Sequence, residues 1–338
     1  MKTPPDREEL RRDVLRAVSR SFYLSLRILP GPLRDPLSLA YLLARATDTL
    51  ADTPEAPLPV KKQGLADLAA AIQGRNSEKI AGNLAGSFTR LQSNPAERTL
   101  IERLPELIQW LDALAEDDRD QVRAVLMKIN RGQMLDLERF DSGSGTGTDI
   151  KALLTAAELD EYTYLVAGCV GEFWTRICFA HLRGFCDRPE AEMLELGADY
   201  GRGLQLVNVL RDAGEDLRNG RCYLPADELD SLGLRPSEIL GDPARVDPVM
   251  KKWRDKAGQG MAAGIEYAGA IRSRRVRFAT ALPALIGART LALLEQARAA
   301  GLTTKVKVPR AEVRKMIFSA AVASRGSLQR MFAKLRGA

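Results

Sequence analysis

Two segments of this sequence each contain a pair of aspartates, spaced at i and i+4 within an apolar stretch. The first pair is Asp48 and Asp52, and the second is Asp212 and Asp216. Residues at this spacing project from the same face of a helix, so the two carboxylates of a pair repel each other unless a cation lies between them. Mg²⁺ prefers oxygen ligands and often binds phosphates as well. Two such pairs facing each other would therefore bind Mg²⁺ together with a phosphorylated ligand.

Arginines accompany both aspartate pairs. Arg45 precedes the first pair, Arg211 directly precedes the second, and Arg221 follows it. Guanidinium groups bind phosphate oxygens in a bidentate manner. Carboxylate-bound Mg²⁺ with nearby arginines suits the departure of a diphosphate, because negative charge develops on that leaving group.

The second pair belongs to a polar stripe on a mostly apolar helix. Spacing at i, i+3, i+7 and i+11 places the members of this stripe on one helical face. They are Gln205, Asn208, Asp212 and Asp216. A solvated surface face would more often carry Lys and Glu. One aspartate pair is weak evidence, but two pairs that are each preceded by an arginine predict a functional site.

A third segment, residues 162–174, is apolar nearly all round and is expected to be a buried helix. Gly168 and Gly171 weaken this helix by about 1 kcal/mol each relative to alanine. They would permit close packing, a bend, or room for an apolar ligand. Tyr162 at its start could stabilise a carbocation through its ring or exchange a proton through its hydroxyl.

Apolar residues recur at helical spacing along the whole chain, and no alternation long enough for a sheet is present. We therefore predict an all-α fold, with one helical domain over residues 1–338, a core at about 8–300 and a basic amphipathic helix at about 309–335. The segment 141–149, rich in Gly and Ser, is expected to be a mobile loop or linker. The predicted helices span about 8–28, 35–52, 62–73, 77–92, 98–115, 118–140, 149–183, 188–218, 245–271, 275–299 and 309–335.

Composition narrows the function classes further. A formal net charge of +6 favours anionic partners, without choosing among phosphates, acidic lipid and nucleic acid. The single histidine, His181, excludes histidine-rich zinc sites and is expected to cap or pack. The four cysteines lack CxxC spacing, which favours reduced thiols. We predict no signal peptide and no membrane-spanning helix.

Four segments, in this order, resemble the head-to-head prenyl synthases, the family of squalene, dehydrosqualene and phytoene synthases. The segments are Ser-Arg-Ser-Phe at 19–22, Tyr-Leu-Leu-Ala-Arg-Ala-Thr-Asp-Thr-Leu-Ala-Asp at 41–52, Tyr162 with Val-Ala-Gly-Cys-Val-Gly at 166–171, and 205–216 with Arg-Cys-Tyr-Leu-Pro at 221–225. The resemblance implies an isoprenoid-synthase-type helical domain around a central cavity.

The resemblance also implies an activity. Two molecules of farnesyl diphosphate would condense head to head, with Mg²⁺, to presqualene diphosphate, which NADPH would then reduce to squalene. The first aspartate segment is closer to squalene synthases than to the paired-acid form of many phytoene synthases. Dehydrosqualene or phytoene synthesis without NADPH is the alternative. A non-catalytic basic protein that binds lipid or nucleic acid is the alternative from another class, but it would leave both aspartate pairs unexplained.

The resemblance assigns roles to individual residues. The catalytic set is Tyr162, Asp48, Asp52, Asp212 and Asp216. The metal ligands are the four aspartates and Glu215. Substrate or diphosphate contacts are Ser19, Arg20, Ser21, Phe22, Tyr41, Arg45, Gln205, Asn208, Arg211 and Arg221. The NADPH contacts are Arg20, Arg45, Asn208, Lys307 and Arg310, although Pro309 departs from the basic pattern that squalene synthases carry there.

The expected partner is farnesyl diphosphate as a small-molecule substrate, with no nucleic acid. We expect a monomer in the cytoplasm. The basic C-terminal helix would either pack on the core with a solvated face or contact the inner face of the membrane, where a hydrocarbon product would collect.

Overall fold

A computed structural model describes residues 6–19, 22–140 and 150–337, and these residues are mostly helical. The chain divides into two compact units. Unit 1 comprises the described parts of Met1–Leu137 and Arg176–Arg183, and unit 2 comprises those of Glu138–Thr175 and Gly184–Ala338. The expected mobile loop at 141–149 lies outside the described residues. The prediction of one domain over the whole chain stays a prediction.

Among the described residues, unit 1 contains the first nine α-helices, apart from the last two residues of α9. The α-helices are α1 Arg7–Glu9, α2 Leu15–Ser19, α3 Phe22–Arg27, α4 Gly31–Asp52, α5 Leu58–Ile72, α6 Ser77–Phe88, α7 Pro95–Glu102, α8 Leu104–Asp112 and α9 Glu116–Arg139, with a π-helical segment at Leu10–Val14 and a 3₁₀ segment at Thr89–Leu91.

Helix α4 carries the first aspartate pair. It begins at Gly31 rather than at the predicted 35, because Pro32 is accepted in the first turn, where its missing N–H needs no partner. It ends at Asp52, where Thr53 adopts an extended backbone. Its buried side includes Leu42 and Leu50. The aspartates are therefore left on the side of α4 that water reaches.

Unit 2 holds the remaining elements. They are β1 Lys151–Ala152, α10 Ala156–Thr163, a π-helical segment Tyr164–Gly168, α11 Cys169–His181 (its last turns in unit 1), α12 Glu190–Arg218, β2 Arg221–Cys222, α13 Ala226–Asp230, a 3₁₀ turn Pro236–Glu238, α14 Asp247–Ala270, α15 Arg274–Ala297, a 3₁₀ segment Arg298–Leu302, α16 Arg310–Val322 and α17 Arg325–Arg336. His181, which ends α11, contacts Asp118 within unit 1 at 2.7 Å.

Three helix predictions are wrong in detail. The helix expected at 98–115 is two helices, α7 and α8, which are divided at Arg103. The helix expected from 149 begins only at Ala156, because β1 pairs in parallel with β2. Strands of two residues are too short to produce a visible alternation. The single helix expected at 309–335 is two helices, because Ser324 accepts a hydrogen bond from the N–H of Ser327 and so caps a new helix, α17.

Helix α12 touches two neighbouring helices through glycines. A Cβ on Gly171 of α11 would lie 1.8 Å from the carbonyl oxygen of Gly197, and a Cβ on Gly203 would lie 2.7 Å from the Cα of Gly260 in α14. Of the three explanations for the glycines of the 162–174 segment, close packing therefore applies at Gly171.

Helix α15 is long and apolar. Among the described residues, Arg274–Leu302 is the one helical stretch long and apolar enough to cross a membrane by length and composition. Within the protein, 72% of its most apolar window is buried. We therefore interpret it as a core helix of unit 2.

We expect Gly171→Ala to lower the free energy of unfolding by about 1–3 kcal/mol or more, because the added methyl meets backbone that cannot rotate away. The matched control is Gly269→Ala in α14, where a Cβ would meet nothing within 4 Å. It should be neutral or stabilise by up to about 1 kcal/mol. Urea unfolding of the three proteins measures both effects. Equal stability of the wild type and Gly171→Ala would contradict the close packing.

Candidate active site

The first part of the candidate site lies in unit 1, on α4. The guanidinium of Arg45 contacts the carboxylates of both Asp48 and Glu97. Burial acts to lower the pKa of Arg45, but the charges of the two acids outweigh it and raise that pKa. The Nε–H of Arg45 is buried and has no acceptor among the described residues. Arg45 is therefore held in its charged form, and its Nε–H is available to donate a further hydrogen bond.

The ionised form of the Asp48 carboxyl is electrostatically unfavourable in this position. Its pKa is raised to about 7, first because surrounding protein disfavours the charged form and then because of the negative charge of Asp52. The contact with Arg45 acts in the opposite direction but is weaker. Water reaches 41% of the Asp48 side chain, so solvent screens part of this effect. The repulsion inferred from the i and i+4 spacing is thus present in the folded chain.

Tyr41 is another predicted residue of α4. Its ring stacks on Phe22, with centroids 5.4 Å apart, and its hydroxyl donates to the carbonyl of Val18 at 3.4 Å. Ser19 is buried, and its hydroxyl donates to the carbonyl of Leu15 on its own helix. Arg20 and Ser21 lie outside the described residues.

The second part of the candidate site is the polar stripe of α12 in unit 2. Leu206, Val207, Val209 and Leu210 are buried, while the stripe itself keeps contact with solvent. This is the division of the helix that the sequence predicted. The stripe is thus positioned by the burial of the opposite face.

Ion pairs hold two acids of α12, Asp212 of the stripe and Glu215 beside it. Arg211 binds Asp212 in a bidentate manner, with Nε–Oδ1 3.0 Å and Nη2–Oδ2 2.5 Å. The hydrogen bonds and charge of Asp212 raise the pKa of Arg211 against the opposing effect of burial. Glu215 accepts a hydrogen bond from Lys305 at 2.7 Å. The proposed metal ligand Glu215 is therefore already paired with a cation in this structure.

Tyr162 sits in the last turn of α10 and is connected to α12. The side-chain amide of Asn208 donates to Gln205 at 3.3 Å, and the amide of Gln205 donates to the Tyr162 hydroxyl at 3.3 Å. The Tyr162 ring lies 5.0 Å from the ring of Tyr223, which lies 4.9 Å from Phe140. The structure thus brings together three predicted residues beside an aromatic surface, which is suited to stabilising a cation.

The remaining predicted residues lie on short segments. Arg221 belongs to β2, Lys307 is exposed in the irregular stretch before α16, and Arg310 is the first residue of α16. The contact of Lys305 with Glu215 places the start of this basic stretch beside the acidic end of α12. The meeting of the two aspartate pairs at one cation site stays a prediction.

The donor atoms fit Mg²⁺. Within the described ranges, no three His, Cys, Asp or Glu side chains form a ready-made metal site. Mg²⁺ in phosphate-binding sites needs only one or two carboxylates, because water and substrate oxygens complete its coordination. Asp48 with Asp52, and Asp212 with Asp216, would hold it. The pKa of Asp48 is raised first by burial and then by the charge of Asp52, and a bound cation would offset both effects.

Sequence reasoning missed several residues of these sites. Tyr223 stood within the motif at 221–225, so the resemblance could have identified it. Lys305 begins the basic stretch at 305–310, to which the resemblance also pointed, but its contact with Glu215 was not predicted. Phe140 and Glu97 carried no such signal. Glu97 lies 52 positions from Arg45 and reaches it only because α7 packs against α4.

The comparison with protein families identifies the class. The chain belongs to the squalene/phytoene synthase family, whose sequence profile matches residues 15–312. The family predicted from the four motifs is therefore confirmed.

Individual relatives differ in what they make. The chain is 28% identical over 246 residues to the bifunctional lycopene cyclase/phytoene synthase of Phaeosphaeria nodorum, covering 72% of this chain and 38% of that protein. It is 30% identical over 219 residues to the squalene synthase of Yarrowia lipolytica, and this match covers 64% of this chain and 45% of that protein. It is 28% identical over 229 residues to the presqualene diphosphate synthase of Rhodopseudomonas palustris, and this match covers 66% of this chain and 64% of that protein. The chain thus spans 38–64% of the length of these curated relatives.

Solved structures share the fold. TcSQS in complex with the ligand BPH1237 matches with a TM-score of 0.76 at 22% identity, over 97% of this chain and 89% of that one. A dehydrosqualene synthase in complex with a ligand matches with a TM-score of 0.63 at 21% identity, over 96% and 99%. These matches confirm the all-α fold predicted from the sequence.

The stability of the metal-free protein should depend on the charge of Asp48. Its folded-state pKa of about 7 lies above its value in the unfolded chain, so the native state binds more protons between about pH 4 and pH 7. The free energy of unfolding should therefore fall as pH rises through this window, by an amount on the order of 1 kcal/mol after solvent screening.

Chemical unfolding at several pH values, with chelator present, measures this fall. Asp48→Asn should remove it, and Asp52→Asn should move its midpoint to lower pH by removing the repulsive charge. Asp13→Asn, the same change at an exposed carboxyl whose pKa is lowered by Arg12, should leave it in place. A fall that persists in Asp48→Asn would contradict the assignment.

Proposed function

We propose that this chain acts as a squalene synthase. It would join two molecules of farnesyl diphosphate head to head in a Mg²⁺-dependent reaction, form presqualene diphosphate, and reduce it to squalene with NADPH. The observation that carries the proposal is that each aspartate pair has a guanidinium already bound to one of its carboxylates, at Asp48 and at Asp212. Two substrates bring two diphosphates, and each carboxylate–guanidinium set suits one of them.

The arginines supply fixed positive charge for the leaving group. Arg45 and Arg211 can exchange a carboxylate oxygen for phosphate oxygens, and the buried Nε–H of Arg45 has no acceptor among the described residues. Bound Mg²⁺ would neutralise the diphosphate and favour its departure. Because negative charge grows on the leaving oxygens in the transition state, cations that are already in position lower the barrier without reorganising.

Tyr162 would act on the hydrocarbon part of the reaction. Its oxygen accepts a hydrogen bond from Gln205, so its own proton is directed elsewhere and can be exchanged at the Tyr162 hydroxyl. The faces of the Tyr162 and Tyr223 rings offer negative potential to a developing carbocation. Asn208 orients this arrangement through Gln205.

The reduction step requires NADPH, whose phosphates need cations. Lys307 and Arg310 are exposed on a stretch that Lys305 anchors to α12. Ammonium and guanidinium groups of this kind suit the phosphates of a dinucleotide. The residues proposed for NADPH contact are Arg20, Arg45, Asn208, Lys307 and Arg310.

Dehydrosqualene or phytoene synthesis is the second candidate, and the similarity to a protein named for phytoene synthesis favours it. It would use the same condensation and omit the reduction. A non-catalytic role leaves both aspartate pairs unexplained and does not fit membership of an enzyme family. We further propose a monomer that works in the cytoplasm, in keeping with its four free thiols.

Product analysis tests the proposed function. Purified protein is incubated with farnesyl diphosphate and Mg²⁺, with and without NADPH. We expect squalene only when NADPH is present. Dehydrosqualene in both conditions, or turnover of geranylgeranyl diphosphate alone, would instead establish the second candidate. Accumulation of presqualene diphosphate in both conditions would support the proposed condensation step and refute the proposed reduction step.

Removal of one carboxylate from either pair should abolish ionisation of the diphosphate. We expect Asp48→Ala and Asp212→Ala each to lower turnover by at least about 100-fold, because charge stabilisation of the leaving group is lost. Circular dichroism should show an intact fold. Asp255→Ala, which removes an exposed ion pair with Lys251 on α14, is the matched control and should keep its turnover. Near-normal turnover of both site variants would refute the assignment of the pairs.

A further inference from the structure

The positive charge of this chain is concentrated in its last segment. Residues 309–338 contain seven Lys or Arg and one acid, Glu312, so they carry the whole formal net charge of +6. The other 308 residues contain 43 basic and 43 acidic side chains. Glu312 is itself bound by Arg289 of α15. Such an asymmetry indicates an anionic partner for the segment.

The same segment exposes an apolar pair. Phe318 and Val322 of α16 are each 75% exposed, and their i and i+4 spacing makes them neighbours on one face. Met316 and Ala320 are buried on the side of α16 that packs on α15. The other large apolar side chains that are exposed among the described residues stand singly on separate elements. These are Val60, Met127, Leu154 and Val170.

Cations adjoin this apolar pair. Arg314 precedes Phe318 by one helical turn and lies on the same face, and Lys315 is next to it. Both are exposed, and neither forms an ion pair with a carboxylate in the part of the chain that the structure describes. Exposed apolar side chains flanked by unpaired cations are the pattern of helices that lie in a membrane interface.

We propose that the outer face of α16, formed by Arg314, Lys315, Phe318 and Val322, docks on the surface of an anionic phospholipid bilayer. The two apolar side chains would enter the boundary between headgroups and acyl chains, while the long cationic side chains remain among the lipid phosphates. Of the two arrangements expected from the sequence for this segment, α16 shows packing on the core, through α15. The proposal adds the other arrangement, membrane contact, for the face of α16 that points away from α15.

Two other occupants explain less of this surface. A nucleic acid would pair with the cations but leave Phe318 and Val322 in water. A second copy of the chain would cover the apolar pair but bring the cations of both copies close together. An anionic bilayer accounts for both features, because its acyl chains can receive the apolar side chains while its headgroups bind the cations.

Flotation with lipid vesicles tests the proposal. The full chain is mixed with vesicles of phosphatidylcholine, alone or with phosphatidylglycerol. Binding is expected only with phosphatidylglycerol and should weaken as salt is added. Arg314→Gln with Lys315→Gln should weaken binding by about five-fold for each charge removed. Phe318→Ser with Val322→Ser should weaken it by at least about ten-fold.

Matched controls isolate the outer face of α16. Leu154→Ser, at an exposed apolar residue on another element, should bind vesicles like the wild type. Turnover of farnesyl diphosphate is measured separately with every variant, so that failure of the catalytic proposal and of the docking proposal can be told apart. All the altered side chains are exposed, and circular dichroism should confirm that each variant is folded.

Three outcomes would overturn the docking proposal. The first is a wild-type chain that does not float with phosphatidylglycerol vesicles. The second is vesicle binding that is unchanged in both double variants. The third is a different occupant, seen either as binding of a DNA duplex that exceeds vesicle binding, or as a dimer in light scattering that the Phe318→Ser, Val322→Ser variant converts to a monomer.

Discussion

The candidate site of unit 2 depends on contacts between backbones that have no side chains between them. At Gly197, Gly203 and Gly214 of α12, any Cβ would lie within 2.8 Å of a backbone atom of another segment. These contacts restrict the rotation of α12 about its own axis, because a turn of the helix would drive larger side chains into the neighbouring backbones. The polar stripe therefore keeps one orientation, and Gln205 can reach the hydroxyl of Tyr162.

The charge of the aspartates is compensated differently in the two pairs. In unit 1, burial and the charge of Asp52 raise the pKa of Asp48, and Arg45, which also contacts the distant Glu97, offsets this only in part. In unit 2, Arg211 is the immediate neighbour of Asp212 and binds both of its oxygens. In both units a guanidinium is already in position, and the proposed function requires this for electrostatic catalysis without reorganisation.

Cations serve two different purposes along this chain. Those near the aspartate pairs are bound to acids and belong to a balanced set of charges, whereas those of residues 309–338 form an excess. In the proposed function, the first kind supports local chemistry on a phosphate. The second kind produces a field that extends from the surface and draws anionic partners from solution. The exposed Phe318 and Val322 give that surface a preference for a lipid interface.

The sequence by itself determined the helical class, the two aspartate pairs and the polar stripe of α12, because helical periodicity and i, i+4 spacing are local properties. Only the tertiary structure decided that β1 pairs with β2, that Glu97 shares Arg45, and that Tyr223 lies against Tyr162. Each of these contacts joins residues far apart in the chain. Their formation depends on how whole helices pack, and a local pattern carries no record of that packing.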